Sequence, residues 1–206
     1  GWLEPEPVVE PDQMTISVPV DGLSVQTLRN LILMLYSKQY LLGKALKEKT
    51  IRIDDAVIER LQQTVPETPA DFKALVDDFR ARGQITGVDF ANDAVTLSFP
   101  LSDKQDVIHV YTLLTVNLIA AAKIATRVLP DLQQPENEKY YMRNWLVRLG
   151  FGGKESKGLR NLLLKHLKGH SAFRTAADAN KHRDKYAEIR RSRKESVALE
   201  AQHEES

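Results

Sequence analysis

The heptapeptide Met14-Thr-Ile-Ser-Val-Pro-Val20 returns 81 residues later as Val95-Thr-Leu-Ser-Phe-Pro-Leu101. Thr15/Thr96, Ser17/Ser98 and Pro19/Pro100 are identical pairs, and the other positions match apolar for apolar. Apolar residues alternate with small hydroxyl residues in both copies, the period-two pattern of a half-buried strand. The proline ends the pairing or places it at a sheet edge, because it has no N–H to give to a ladder. Each copy then passes through a short polar turn into a long apolar helix. The first helix runs from Val25 to about residue 49 behind Ser24 as N-cap. The second opens at the capping box Ser102-Asp103-Lys104-Gln105 and closes before Pro130. This is the signature of an internal repeat. It implies two β-α units about a pseudo-twofold axis, sharing one small antiparallel sheet with both long helices on one face, and Thr and Ser on the more solvated side.

Between the copies, residues 51–53 are too short to assign, and Asp54 can cap a brief helix through Leu61. Thr68-Pro69-Ala70-Asp71 is a strong helix start: cap, proline at the first helical position, acid at the third. Residues 85–90 and 94–99 are strand-like, and Asn92-Asp93 between them supplies the turn of a hairpin. Residues 131–135 read as a hinge. Beyond it lie three helices, about 136–149, 155–168 and 176–199. Strands at the front followed by helices alone give an α+β fold, with duplicated β-α units followed by a basic three-helix region. The chain divides into an acidic linker (1–13), the duplicated domain (14–130), the basic region (136–200) and an acidic tail (201–206).

At 206 residues and 42% hydrophobic, the chain suits one domain with an appendage. No uninterrupted apolar run reaches the ~18 residues of a spanning helix, so no membrane association is expected. No signal-peptide pattern is visible, and the start at Gly1 rather than Met is consistent with a longer parent chain. Zero cysteines exclude disulfides, thiol catalysis and cysteine-held metals. The net charge of +1 conceals a strong polarity. Residues 1–138 carry 13 bases and 20 acids, residues 139–194 carry 16 bases against four acids, and residues 195–206 add four more acids. A surplus of +12 in the middle block is the footprint of a polyanion-binding module, unless those bases face the acidic remainder of the chain.

The chemical motifs are weak. Gly150-Phe-Gly-Gly-Lys154-Glu-Ser156 lacks the phosphate-loop hydroxyl, with Glu155 in its place, and follows a helix rather than a strand. Glycines and Lys154 at a helix start remain suited to docking a nucleic-acid phosphate. His166 and His170 have helical metal-ligand spacing but no third ligand nearby. Asp54/Asp55 and Asp77/Asp78 read as solvated structural acids. No catalytic residue, metal site or cofactor is expected.

The two helices spanning 136–168 are amphipathic. Tyr141, Met142, Trp145, Leu146 and Leu149 form the stripe of the first, and Leu159, Leu162, Leu163 and Leu167 that of the second. Joined by a glycine loop, they are compatible with a helix-turn-helix whose second helix enters the major groove of DNA. Arg160 and Asn161 suit base edges there. Lys154, Lys157, Lys165, Lys168, Arg143, Arg148 and Arg174 suit phosphates. DNA is the expected partner, with RNA as the alternative, and a homodimer would supply two reading helices. The competing expectation is a protein–protein adaptor whose front domain recognises a host or element protein.

The string Asn137-Glu-Lys-Tyr-Tyr-Met-Arg-Asn-Trp-Leu-Val-Arg-Leu-Gly150, with Leu162-Leu-Leu-Lys-His-Leu-Lys-Gly-His-Ser-Ala-Phe-Arg174, carries a resemblance. So does Thr27-Leu-Arg-Asn-Leu-Ile32 with Tyr36-Ser-Lys38. Over about residues 14–174 the chain resembles a family of phages and integrative elements of Firmicutes, labelled "virulence-related protein". The resemblance implies an intracellular, cytoplasmic protein of a mobile element with sequence upstream of the part present here. It assigns no activity and no site residue.

Overall fold

The structure, a computed structural model, describes residues 12–91 and 93–204. Its strands are β1 (Gln13–Pro19), β2 (Arg52–Ile53), β3 (Ile85–Thr86), β4 (Val88–Ala91) and β5 (Ala94–Pro100). Its helices are α1 (Val25–Leu46), α2 (Asp55–Gln63), α3 (Pro69–Ala81), α4 (Gln105–Ile124), α5 (Glu138–Arg148), α6 (Lys157–Leu164) and α7 (Ala176–Glu204). The fold is α+β: helices packed with small antiparallel sheets, one ordered β1-β5-β4 and the other β2-β3. Most of the 1–13 linker and the last two residues of the 201–206 tail lie outside the described residues, as does Asn92 of the expected turn. Residues 201–204, placed in the tail by sequence, continue α7.

The two copies of the repeat are the neighbours β1 and β5, paired antiparallel over their full lengths. Val95, Leu97 and Phe99 point inward and are buried, while Thr96 donates to Ser17 on the other face at 2.9 Å. Helices α1 and α4 follow the two strands and pack on each other, with α4 lying against β1 and β5. Phe99 stacks on Tyr111 of α4 with ring centroids 4.5 Å apart. Asn30, fully buried on α1, donates to the carbonyls of Ala122 (3.0 Å) and Ala125 (2.7 Å), which the end of α4 leaves without helical partners.

Three local expectations are corrected. Residues 85–90 are not one strand: Gly87 takes φ +73° and breaks it, sending Ile85 and Thr86 to pair with β2 while Val88–Ala91 pair with β5. Helix α4 starts at Gln105 behind Lys104, and Ser102 accepts only from the Lys104 amide (3.2 Å), so the capping box does not form. Residues 131–135 are not a free hinge. The Gln133 amide donates to Ser37 O of α1 at 3.1 Å, and its side-chain oxygen accepts from Lys38.

The basic region joins the front at Glu138. This buried carboxylate accepts from Lys44 (2.6 Å) and Tyr40 (3.0 Å) of α1, and from the Lys168 amide (2.9 Å) just past α6. Met142, Trp145, Leu146, Leu163 and Leu167 extend the same hydrophobic core that α1, α4 and the sheet enclose. The change from acidic to basic composition after residue 138 is therefore not accompanied by a break in the core.

Helix α4 has the length and mean hydropathy (1.6) of a membrane-crossing helix. One side of it is core, with Val110, Leu114 and Leu118 buried; the other carries exposed Val116 and Ile124.

Candidate nucleic-acid interface

On α6, Leu163 and Leu164 turn into the core, and the remaining face carries Lys157, Asn161 and Lys165 at four-residue intervals, all exposed. Exposed Lys168 follows just beyond the helix. A shallow groove of about 370 Å³ runs beside this stripe, walled by Asn161 and Lys165 on one side and by Lys139 of α5 and Ser171 on the other. Lys139 was absent from the residues expected at the site. Its position in the first turn of α5, whose amide donates to Lys168 O (2.9 Å), is what brings it there.

The other expected bases are distributed differently. Arg160 is half-buried and turned away from the stripe: its guanidinium donates to the carbonyls of Phe151 and Gly153 (2.9 Å to the latter), bracing the glycine loop. Lys154 is exposed on that loop. Arg148 lies on the flank of α5 opposite Lys139, beside Lys38 of α1. There burial, and then the Arg148 charge, push the Lys38 ammonium down to about 8. Arg143 is half-buried on α5. Arg174 is exposed at the entry to α7, where Asn137 accepts from the His170 amide and donates to the carbonyls of Phe173 and Arg174. The α5–α6 connection spans residues 149–156, longer than the three- or four-residue turn of a helix-turn-helix. Lys157, Asn161, Lys165 and Lys168 thus share one surface; Arg143, Arg148 and Arg160 do not join it.

Thr175 and Asp178 cap α7 reciprocally: the Asp178 amide donates to Thr175 Oγ1 (3.1 Å), and the hydroxyl donates to the carboxylate (2.7 Å). Residues 180–194 are then exposed throughout, with Tyr186 and Ile189 about half exposed, so the helix projects from the body as its sparse apolar content predicts. Its 29 residues extend about 43 Å. Lys181, Arg183, Lys185, Arg190 and Arg191 lie along it.

The described part of the acidic front forms no ion pair with these charges. Among the described residues, no base from Lys139 to Arg174 forms an ion pair, and Arg183 pairs only with its neighbour Asp184 at 3.7 Å. The expected acid pairs are structural: Asp55 accepts from Tyr36 (2.8 Å), Asp77 from Arg80 (2.6 Å) and Asp78 from Arg82. No cluster of three metal-ligating side chains occurs among the described residues. No family model, curated protein or solved structure matches the chain.

Proposed function

We propose that this chain is a non-enzymatic nucleic-acid-binding protein that grips the phosphate backbone with the α6 stripe and the projecting helix α7. One observation supports the reading above the others: among the described residues, the bases of residues 139–174 stay outside any ion pair, so their charge is available to a polyanion. Lysines spaced along an exposed face act as point charges on phosphates. Asn161 is the stripe's one side chain suited to a base edge. Duplex DNA is the proposed target. The resemblance to mobile-element proteins over about residues 14–174 supports the reading of a cytoplasmic accessory factor of such an element.

The test is a fluorescence-anisotropy titration of the whole chain against duplex DNA, single-stranded DNA and RNA at several salt concentrations. If about six to eight bases meet phosphates, affinity for the duplex falls with a log–log slope of roughly −5 to −7. Absence of micromolar binding to all three nucleic acids at low salt would remove the proposal.

The second reading, a protein–protein adaptor, draws on α4. Val116 is 40% exposed and Ile124 83%, and exposed Ala120 continues the apolar strip between them. A partner recovered by pull-down that resists nuclease and moderate salt, and is lost on Val116→Asp, would favour it.

A further inference from the structure

A second positively charged feature lies where the end of α1, the start of α4 and the end of α6 converge. A cleft of about 250 Å³ opens there, rimmed by Lys47, Lys104, Lys165 and His166. Leu46, Val110, Tyr111 and Leu163 form its buried apolar floor. Among the described residues none of the three rim lysines forms an ion pair, nor does His166. The rim's acid, Asp106, directs one carboxylate oxygen at the Val107 amide (2.9 Å) in the first turn of α4. Burial, and then the charges of Lys47 and Lys165, hold the His166 imidazole below its ordinary range. Three lysines gathered around one carboxylate leave a positive surplus, unfavourable in the free protein and favourable once an anion sits among them.

Lys47 carries the argument further. It ends α1 in the left-handed conformation at φ +62°, a position where glycine is favoured and a side chain costs stability. A lysine stands there, and it lines the cleft.

We propose that this cleft binds a small phosphate monoester: a dianionic phosphate held by the lysine rim, with a compact organic body over the apolar floor. Three lysines suit a dianion better than a monoanionic carboxylate. The volume equals that of about eight liquid waters, room for a phosphate and the near end of a compact organic body, the rest of which extends out of the open cleft. The site shares Lys165 with the proposed nucleic-acid surface but stands independently of it.

Isothermal titration calorimetry of the whole chain at low salt, with phenyl phosphate and adenosine monophosphate as probes, tests the assignment. Saturable binding of at least one monoester is expected, tighter than inorganic phosphate or adenosine, and weakened about tenfold by Lys104→Gln. Lys104→Gln leaves duplex affinity unchanged, so failure here is distinguishable from failure of the nucleic-acid reading. Lys47→Gly separates ligand binding from fold: it raises the Tm of the free chain by about 2 to 4 °C while weakening the monoester. Absence of saturable binding by both monoesters, equal binding by inorganic phosphate, or unchanged binding in the Lys47→Gly/Lys104→Gln double variant would overturn the proposal.

Discussion

Ile16 and Leu97 occupy the same position in the two copies of the strand motif, and they lie directly opposite each other in the β1–β5 ladder. The pairs on either side exchange under the repeat, Thr15 with Ser98 and Thr96 with Ser17. A local twofold axis therefore passes through the Ile16–Leu97 pair, and Pro19 and Pro100 fall in the two terminal pairs of the ladder. The symmetry is broken by β4, which covers the far edge of β5 and leaves β1 at the sheet edge. Leu97 is fully buried and Ile16 only half-buried. Leu97→Ala should therefore cost about 3 to 4 kcal/mol and Ile16→Ala about 1 to 2 kcal/mol in urea unfolding. Equal losses would mean that the two copies contribute alike to the core.

Gly87 is where the chain leaves one sheet for the other. A Cβ built there would lie 2.2 Å from Thr50 O, and φ is +73°. Gly87→Ala should lose about 2 to 4 kcal/mol, combining the positive-φ penalty with a backbone clash. Gly22 is the control: its φ is +66° with nothing within 4 Å, so Gly22→Ala should lose only about 1 kcal/mol.

Helix caps separate the two kinds of serine and threonine. Ser24 accepts from the Thr27 amide and Thr68 from the Asp71 amide, each at 3.1 Å. Ser24→Ala and Thr68→Ala should each cost about 1 kcal/mol. Ser102→Ala, outside the α4 cap, should change stability by less than about 0.5 kcal/mol. Thermal unfolding of the three variants side by side distinguishes them.

What the sequence made legible follows from where the information is local. The repeat, the Ser24 and Thr68 caps and the projecting α7 are written in adjacent residues. The break at Gly87 is not, because it depends on the Thr50 carbonyl 37 positions away. Charge composition located the basic block but not its faces. Arg160 looks like a base reader by residue type, yet the Phe151 and Gly153 carbonyls claim its donors. Glu138 was only one acid among many until Lys44 and Tyr40 arrived from nearly a hundred residues upstream.

Glu138 gives the fold a pH dependence. Burial alone would raise its carboxyl. Hydrogen bonds from Lys44, the Lys168 amide and Tyr40 outweigh burial and hold it below its ordinary value of 4.5. A carboxylate depressed in the folded state stabilises fully above its unfolded pKa, and that contribution is lost as pH falls through the folded value. The wild-type chain should lose stability on acidification below about pH 4.5, and Glu138→Gln should start lower at pH 7 and fall less steeply. Glu138→Ala, which strands the Tyr40 hydroxyl and the Lys168 amide, should cost about 2 to 4 kcal/mol at pH 7. Parallel acid profiles for wild type and Glu138→Gln would show that the carboxylate is not the group responsible.

Arg160 and Lys157 are three residues apart on α6 and should fail in different ways. Arg160 spends its donors on the loop that joins α5 to α6, so Arg160→Ala removes hydrogen bonds to two carbonyls and loosens residues 150–156. The expected result is a stability loss of about 1 to 3 kcal/mol, with the salt slope of duplex binding unchanged. Lys157 is exposed and forms no ion pair among the described residues, so Lys157→Ala should leave the Tm within about 1 °C of wild type. It should weaken binding to all duplex sequences alike and reduce the magnitude of the salt slope by about 1, the signature of one lost phosphate contact. Asn161→Ala is the third arm, and it alone should change the ratio of affinities between duplexes of different sequence. If Arg160→Ala rather than Asn161→Ala altered that ratio, Arg160 would have to leave its carbonyls on binding, and the glycine loop would be part of the recognition surface.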